Sequence, residues 1–191
     1  MKLLYQGHGS FRLTLANGAV IYIDPFAGEG YEKPADLILV THQHPDHNAV
    51  HLPAKKPDCR IYQNTDALQG GAYQTLTFAG AEIEAVEACN QNHDPAACVG
   101  YLIKAEGLQL YFAGDTSKTA QMETLTNIDY AFLPADGVFN MDIPEAMECA
   151  RLIGAKHTVP VHIAPGKLFD PERAARFAGG LIFEPGKEYD L

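Results

Sequence analysis

Residues 41–47 read Thr-His-Gln-His-Pro-Asp-His. No other segment constrains the chain as much, because it crowds His42, His44, Asp46 and His47 into one short run. Neutral imidazole and carboxylate are the ligands that Zn²⁺ and its first-row neighbours take. A solvated turn that happens to be His-rich is the bland alternative, but chance gives this pattern only about 10⁻³ times per sequence of such composition. Just before it, Leu37-Ile38-Leu39-Val40 has the length and composition of a buried strand. In an extended exit segment side chains two apart point the same way, so His42 and His44 face one point. Pro45 forbids a continuing strand and suits the first turn of a helix. Asp46 and His47 then aim from a different local backbone at a neighbouring point. One segment feeding two adjacent metal positions is the expectation, because four ligands on one short loop do not close a single tetrahedral site.

Around this run the pattern alternates strands and helices. Strands are expected at 3–6, 10–15, 19–23, 37–40, 60–63, 74–78, 81–88, 100–105, 108–113, 130–133 and 158–161, with 181–183 as the last. The clearest helix follows Asp142 as N-cap, has Pro144 in its first turn and stops at Gly154. Its Ile143, Met147, Ala150 and Ile153 recur at helical spacing and are expected to face the core. A second helix is expected after Asp170-Pro171, ending before Gly179-Gly180, with shorter pieces at 65–70 and 119–126. Hairpin-like strands with interposed helices imply an α/β chain, an αββα four-layer sandwich of two mixed β-sheets.

At 191 residues the chain can build one substantial core, and nothing marks a second domain, so residues 1–191 are expected to form one. No apolar stretch is long enough for a signal peptide or a membrane span. The four cysteines (Cys59, Cys89, Cys98 and Cys149) show no CxxC spacing, which points to a reducing, cytoplasmic setting. The net charge of −10 repels nucleic acid at long range, although bound metals would carry local positive charge.

The His-rich motif resembles the signature of the metallo-β-lactamase fold superfamily, and the resemblance runs over most of the chain. It implies a binuclear site completed by later loops. His93, in Asn92-His93-Asp94-Pro95, matches the third histidine of the first metal. Asp115, in Phe112-Ala113-Gly114-Asp115-Thr116, matches the carboxylate bridging both metals, and His162, in Val159-Pro160-Val161-His162, matches the final histidine of the second. The resemblance thus places His42, His44 and His93 on metal one, Asp46, His47 and His162 on metal two, and Asp115 between them. His51 and His157 match no motif position. The nuclease branches of this superfamily insert a large domain among these motifs, for which residues 48–92 and 116–161 leave little space.

Within the superfamily the chain looks most like small bacterial metal-dependent hydrolases of the ascorbate-phosphate lactonase type. Gly7-His8-Gly9-Ser10-Phe11, Ile23-Asp24-Pro25-Phe26, Val99-Gly100-Tyr101-Leu102-Ile103, and Leu133-Pro134 followed by Phe139-Asn140-Met141 carry that likeness. Two motifs depart from the usual pattern: Gly-His-Gly replaces Gly-His-Ser, and Phe-Asn-Met-Asp replaces Phe-Thr-Met-Gly. His8 is expected at the mouth of the site as a substrate contact, Asn140 as a polar pocket residue, and Asp24 as a carboxylate orienting a ligand imidazole.

The implied chemistry is hydrolysis of a small ester, lactone or phosphoester by a hydroxide bridging two metals. Asp46 is the expected catalytic carboxylate, orienting that hydroxide or taking its proton. Zn²⁺ is favoured, with Mn²⁺ and Fe²⁺ as alternatives, since the all-histidine motif lacks the acidic residue of iron-binding redox relatives. The competing readings are a phosphodiesterase acting on nucleotides or nucleic acid, and a non-catalytic metal-binding protein. A small-molecule substrate is expected, with no nucleic-acid or membrane partner.

Overall fold

The computed structural model describes residues 1–191. Its first half runs through β1 (Lys2–Gly7), β2 (Ser10–Thr14), β3 (Val20–Ile23), β4 (Ala35–Val40) and β5 (Lys55–Gln63). The tight links make β1, β2 and β3 antiparallel neighbours, whereas the longer excursions before β4 and β5 return each of them parallel. A one-turn helix α1 (Asn64–Ala67) and a ribbon of β6 (Leu68–Gln69) with β7 (Ala72–Tyr73) lead into the second half. There β8 (Thr75–Phe78), β9 (Ala81–Glu87), β10 (Val99–Ala105) and β11 (Leu108–Phe112) form an antiparallel meander. β12 (Tyr130–Pro134) and β13 (His157–Val161) then add in parallel, joined by the helix α2 (Ile143–Ile153). After the single turn α3 (Pro171–Ala174), β14 (Glu188–Asp190) returns to pair with β1. The sheet orders are β14-β1-β2-β3-β4-β5 and β13-β12-β11-β10-β9-β8, so both are mixed.

Alternation along each strand divides the apolar residues between layers. Leu3, Tyr5, Phe11 and Leu13 of the first sheet meet Ile83, Tyr101, Phe112 and Phe132 of the second in the central core. The opposite face of the second sheet (Leu102, Tyr111 and Leu133) packs under Ala146, Cys149 and Ile153 of α2. On the outer face of the first sheet Tyr22, Ile38 and Val40 are covered by Tyr31. The result is the αββα sandwich, with its layer over the first sheet thinned to loops. No helix is long and apolar enough to cross a membrane.

Strand expectations hold to within a few residues except at the C-terminus. Residues 181–183 are not a strand; Phe183 is buried in the central core and stacks on Tyr189 with centroids 3.9 Å apart. The edge position belongs instead to β14, whose outward Glu188 and Asp190 disguise it. Helix α2 has the expected ends: Asp142 accepts a hydrogen bond from the Glu145 N–H at 2.8 Å, and Gly154 closes it with φ 63°. Its expected core residues face that way, Ile153 fully buried and Ile143, Met147 and Ala150 half-buried against the same cluster, while Ala146 and Cys149 complete the buried face. The expected second helix is only α3, because the chain turns inward after Ala174 to bury Phe177. The expected helices near 65–70 and 119–126 are α1 and a 3₁₀ turn, Ala120–Thr124.

Phe132 stacks on Phe112 at 4.6 Å and touches Phe11 at 4.9 Å, linking the sheets with 1 % of its surface exposed. Phe132→Ala is expected to cost about 3–5 kcal/mol, read as a lowered urea midpoint; a loss below about 1 kcal/mol would contradict this role.

Candidate metal centre

The site forms where strands of both sheets end. Tyr101 donates its hydroxyl to the Val40 carbonyl at 3.0 Å, and the Val99 N–H donates to the Thr41 carbonyl at 3.0 Å, stitching the sheets at the exit of β4. Gly114 fits here because it lacks a side chain: a Cβ would lie 2.8 Å from the Val99 carbonyl oxygen. Beyond Thr41 the chain does not enter a helix. The His47 N–H donates to the His44 carbonyl at 3.0 Å, so Pro45 and Asp46 form a turn. That turn still separates the side chains into two directions, as the spacing predicts.

Three of the buried imidazoles, those of His47, His93 and His162, meet a side-chain oxygen at Nδ1. Asp24 Oδ2 lies 2.8 Å from His47 Nδ1, and Asn90 Oδ1 lies 2.8 Å from His93 Nδ1. Asp136 Oδ2 sits 2.9 Å from His162 Nδ1, an ion-pair contact off the line of a hydrogen bond. An acceptor at Nδ1 directs the other ring nitrogen, Nε2, to the front as the free donor atom. All three Nε2 atoms are buried without a hydrogen-bond partner and converge on Asp115, 3.3 Å for His47 and His93 and 3.4 Å for His162. Buried polar atoms are seldom left so, and a divalent cation among them would satisfy them. The donor set of imidazoles and carboxylates suits such an ion.

The ligand atoms fall into close groups, His42 with His44 and His93, and Asp46 with His47, His162 and His8, while His42, His47 and Asp115 form a group spanning the two. All seven residues marked in the sequence as ligand candidates are therefore brought together. His8 and Asn140 are placed differently from expectation. His8 is 2 % exposed, below the cleft rather than at its mouth; its Nε2 lies 3.1 Å from Asp46 Oδ2 and its ring sits 3.6 Å from that of His162. Asn140 does not line the cleft: its amide nitrogen donates to Asp136 Oδ2 at 2.9 Å, and its oxygen accepts from Asn90 at 3.2 Å.

Three residues at the site, His8, Asp24 and His162, have left-handed backbones (φ 56°, 45° and 45°), a conformation costly for non-glycine residues. Hydrogen bonds hold them there, including one from the His162 N–H to the His8 carbonyl at 2.9 Å. Asp136, Asn90 and Thr41 were not among the sequence candidates. A signal existed: Asp24, Asp115, Asp136 and His162 each follow closely on β3, β11, β12 and β13, where loops leave the sheet edge.

Burial drives His42 down to about 2, reinforced by the neighbouring His47, so its ring is neutral. Burial also opposes charge on His47, but Asp115 and Asp24 outweigh it and raise His47 to about 9. His162 is raised against burial by Asp115 and Asp136. Asp115 is held well below the usual carboxylate range although burial acts the other way, because His47 and His162 face it. Asp46 is likewise lowered against burial, by its bond to His8 and by His47.

A family model described as a beta-lactamase superfamily domain matches residues 2–162. A metal-dependent hydrolase of Thermococcus kodakarensis is 31% identical, with 100% of both chains covered, and one of Methanoculleus marisnigri is 32% identical over 85% of this chain and 80% of its own. Among solved structures, a Parabacteroides distasonis protein is 28% identical with a TM-score of 0.76, covering 95% of this chain and 90% of the other. A metallo hydrolase of Ignicoccus hospitalis shares the fold at a TM-score of 0.74 and 24% identity, covering 100% and 98%.

Without metal, the folded state binds more protons than the unfolded chain above pH 6.5, because His47 keeps its proton up to about 9 and His162 is raised in the same direction. Their stabilisation is complete below 6.5 and is lost as pH rises through the folded values. The urea midpoint of chelator-treated protein is therefore expected to fall from pH 6.5 to 9, and Asp24→Asn to flatten the slope. A midpoint that rises over this range would contradict the assignment.

Proposed function

The chain belongs to the beta-lactamase superfamily as a metal-dependent hydrolase, and from that premise we propose that it cleaves a small ester, lactone or phosphoester with two divalent ions. The observation carrying this reading is the convergence of buried, unpartnered Nε2 atoms on Asp115 between two ligand groups. His42, His44 and His93 would hold one ion, Asp46, His47 and His162 the other, with Asp115 shared. Bound there, the ions would supply a nucleophile from water at neutral pH and draw charge from the scissile oxygen. Zinc suits this ligand set, with manganese and iron as its competitors.

The chain's own groups do the positioning. Asp46 is half-buried on the wall of an open cleft of about 500 Å³, which also reaches His93, Asp115 and His162. Its lowered pKa keeps it ionised, so it orients the attacking water as a hydrogen-bond acceptor. His8, anchored beneath, holds one carboxylate oxygen and restricts its rotation. Asp24, Asn90 and Asp136 keep the imidazoles in the ligand tautomer. The likeness to the ascorbate-phosphate lactonase branch supports a small substrate.

Elemental analysis of untagged protein prepared without chelator is expected to return about two equivalents of zinc or manganese per chain. Asp115→Asn should lower both metal content and turnover, the latter at least about 10²-fold, with the circular dichroism unchanged. At most one equivalent, not raised by added metal, would falsify the two-ion mechanism.

A further inference from the structure

One cleft wall has no part in holding metal. Val138 and Phe139 are the most exposed large apolar side chains of the protein, at 56 % and 50 %, and Phe139 borders the cleft. Its backbone is pinned from both sides. The Phe139 N–H donates to Asp136 Oδ1 at 2.7 Å, and its carbonyl accepts from Asn90 at 3.0 Å and Asn92 at 3.1 Å. Asp136 and Asn90 are the residues that orient His162 and His93, so the phenyl wall and the imidazoles hang on one network. An apolar ring kept in water by such a scaffold has little ordering left to lose on contact with a ligand.

Charge narrows the ligand further. Neither Lys nor Arg lines this cleft or the pocket beside it, which shares His44, Asn92 and His93. The carboxylates there are Asp46 and Asp115 in the first and Asp94 in the second. Phosphoester sites ordinarily add cationic side chains on the phosphate oxygens to whatever charge their metal ions supply, and this cleft offers none.

We propose that Phe139 is a specificity-determining subsite for an uncharged ester or lactone that carries an aromatic or similarly flat apolar group, with the carbonyl directed to the ligand cluster. This rests on the hydrolytic reading and selects among its substrates. Water adds to the acyl carbon, the acyl C–O bond breaks, and the leaving oxygen takes the proton, giving an acid and an alcohol. No other reactant is needed.

The test uses protein as purified with its metal. Binding is measured by NMR titration with α-tetralone, an uncharged aromatic ketone that cannot be hydrolysed, and with cyclohexanone as its counterpart without the aromatic ring. Phe139→Ala is expected to weaken α-tetralone about tenfold and cyclohexanone far less, with Phe139→Tyr restoring the preference. Equal loss for both ketones, or none, overturns the subsite. In turnover, wild type should favour dihydrocoumarin over bis(p-nitrophenyl) phosphate in kcat/KM; the reverse order overturns the uncharged class. Phe139-dependent binding of α-tetralone without hydrolysis of any ester, lactone or phosphoester would leave the subsite standing and overturn the hydrolytic reading instead.

Discussion

The Asp24 carboxylate is the point on which the rest of the site hangs. It lies 2 % exposed at the end of β3 and accepts from the Thr41 N–H at 2.7 Å, the Thr41 hydroxyl at 2.6 Å and His47 Nδ1 at 2.8 Å. A buried carboxylate is costly unless its oxygens are satisfied, and these bonds satisfy both. Its backbone is equally engaged: its N–H donates to the Leu39 carbonyl at 3.0 Å, and its carbonyl accepts from the Ser10 hydroxyl. One side chain thereby fixes where β4 ends, how the motif leaves it, and which nitrogen of His47 faces forward. Because Thr41 also bonds to Val99 across the sandwich, the same contact registers the first sheet against the second.

That dependence explains what the sequence could disclose. The ligand cluster at 42–47 was legible because its residues are neighbours in the chain and their geometry follows from a strand exit that turns at a proline. Asp24 was legible as an orienting group, although its partner is 23 positions away. His93, Asp115 and His162 became legible only through the superfamily resemblance, since none stands in a locally distinctive context. Asp136 and Asn90 were not legible. Asp136 acts only when the pairing of β12 with β13 brings it to His162, and Asn90, three positions before His93, stands in a loop whose sequence has no distinctive pattern. His8 was singled out correctly as belonging to the site but put on the wrong side of it, because a positive φ at a hairpin turn points its ring inward. The edge strand β14 escaped for a simpler reason: a short strand with charged outward residues looks like an ordinary tail.

The layered fold carries the same logic. Inward-facing aromatics from both sheets fill the centre, and the site sits where those strands end. The sheet edges offer rigid platforms, while the departing loops are free to carry polar residues. The second sheet needs α2 to cover its outer face, and α2 also supplies the crossover that sets β13 parallel to β12, so that His162 emerges beside Asp136. Core packing and site assembly are not separable here.

The opposed proton affinities within the cluster show how such a centre is prepared. His42, forced neutral by burial, presents a lone pair without having to lose a proton. His47 and His162 retain protons because Asp115, Asp24 and Asp136 supply negative charge in a place from which water is excluded. A site in which buried carboxylates hold protons on imidazoles is one that accepts positive charge, and a divalent ion replaces those protons with a stronger partner. The left-handed backbones of His8, Asp24 and His162 cost on the order of 1–3 kcal/mol each, and main-chain hydrogen bonds such as that from the His162 N–H to the His8 carbonyl hold them in place. The strain is therefore part of the preparation, since relaxing any of the three would turn a donor atom away from the point the others share.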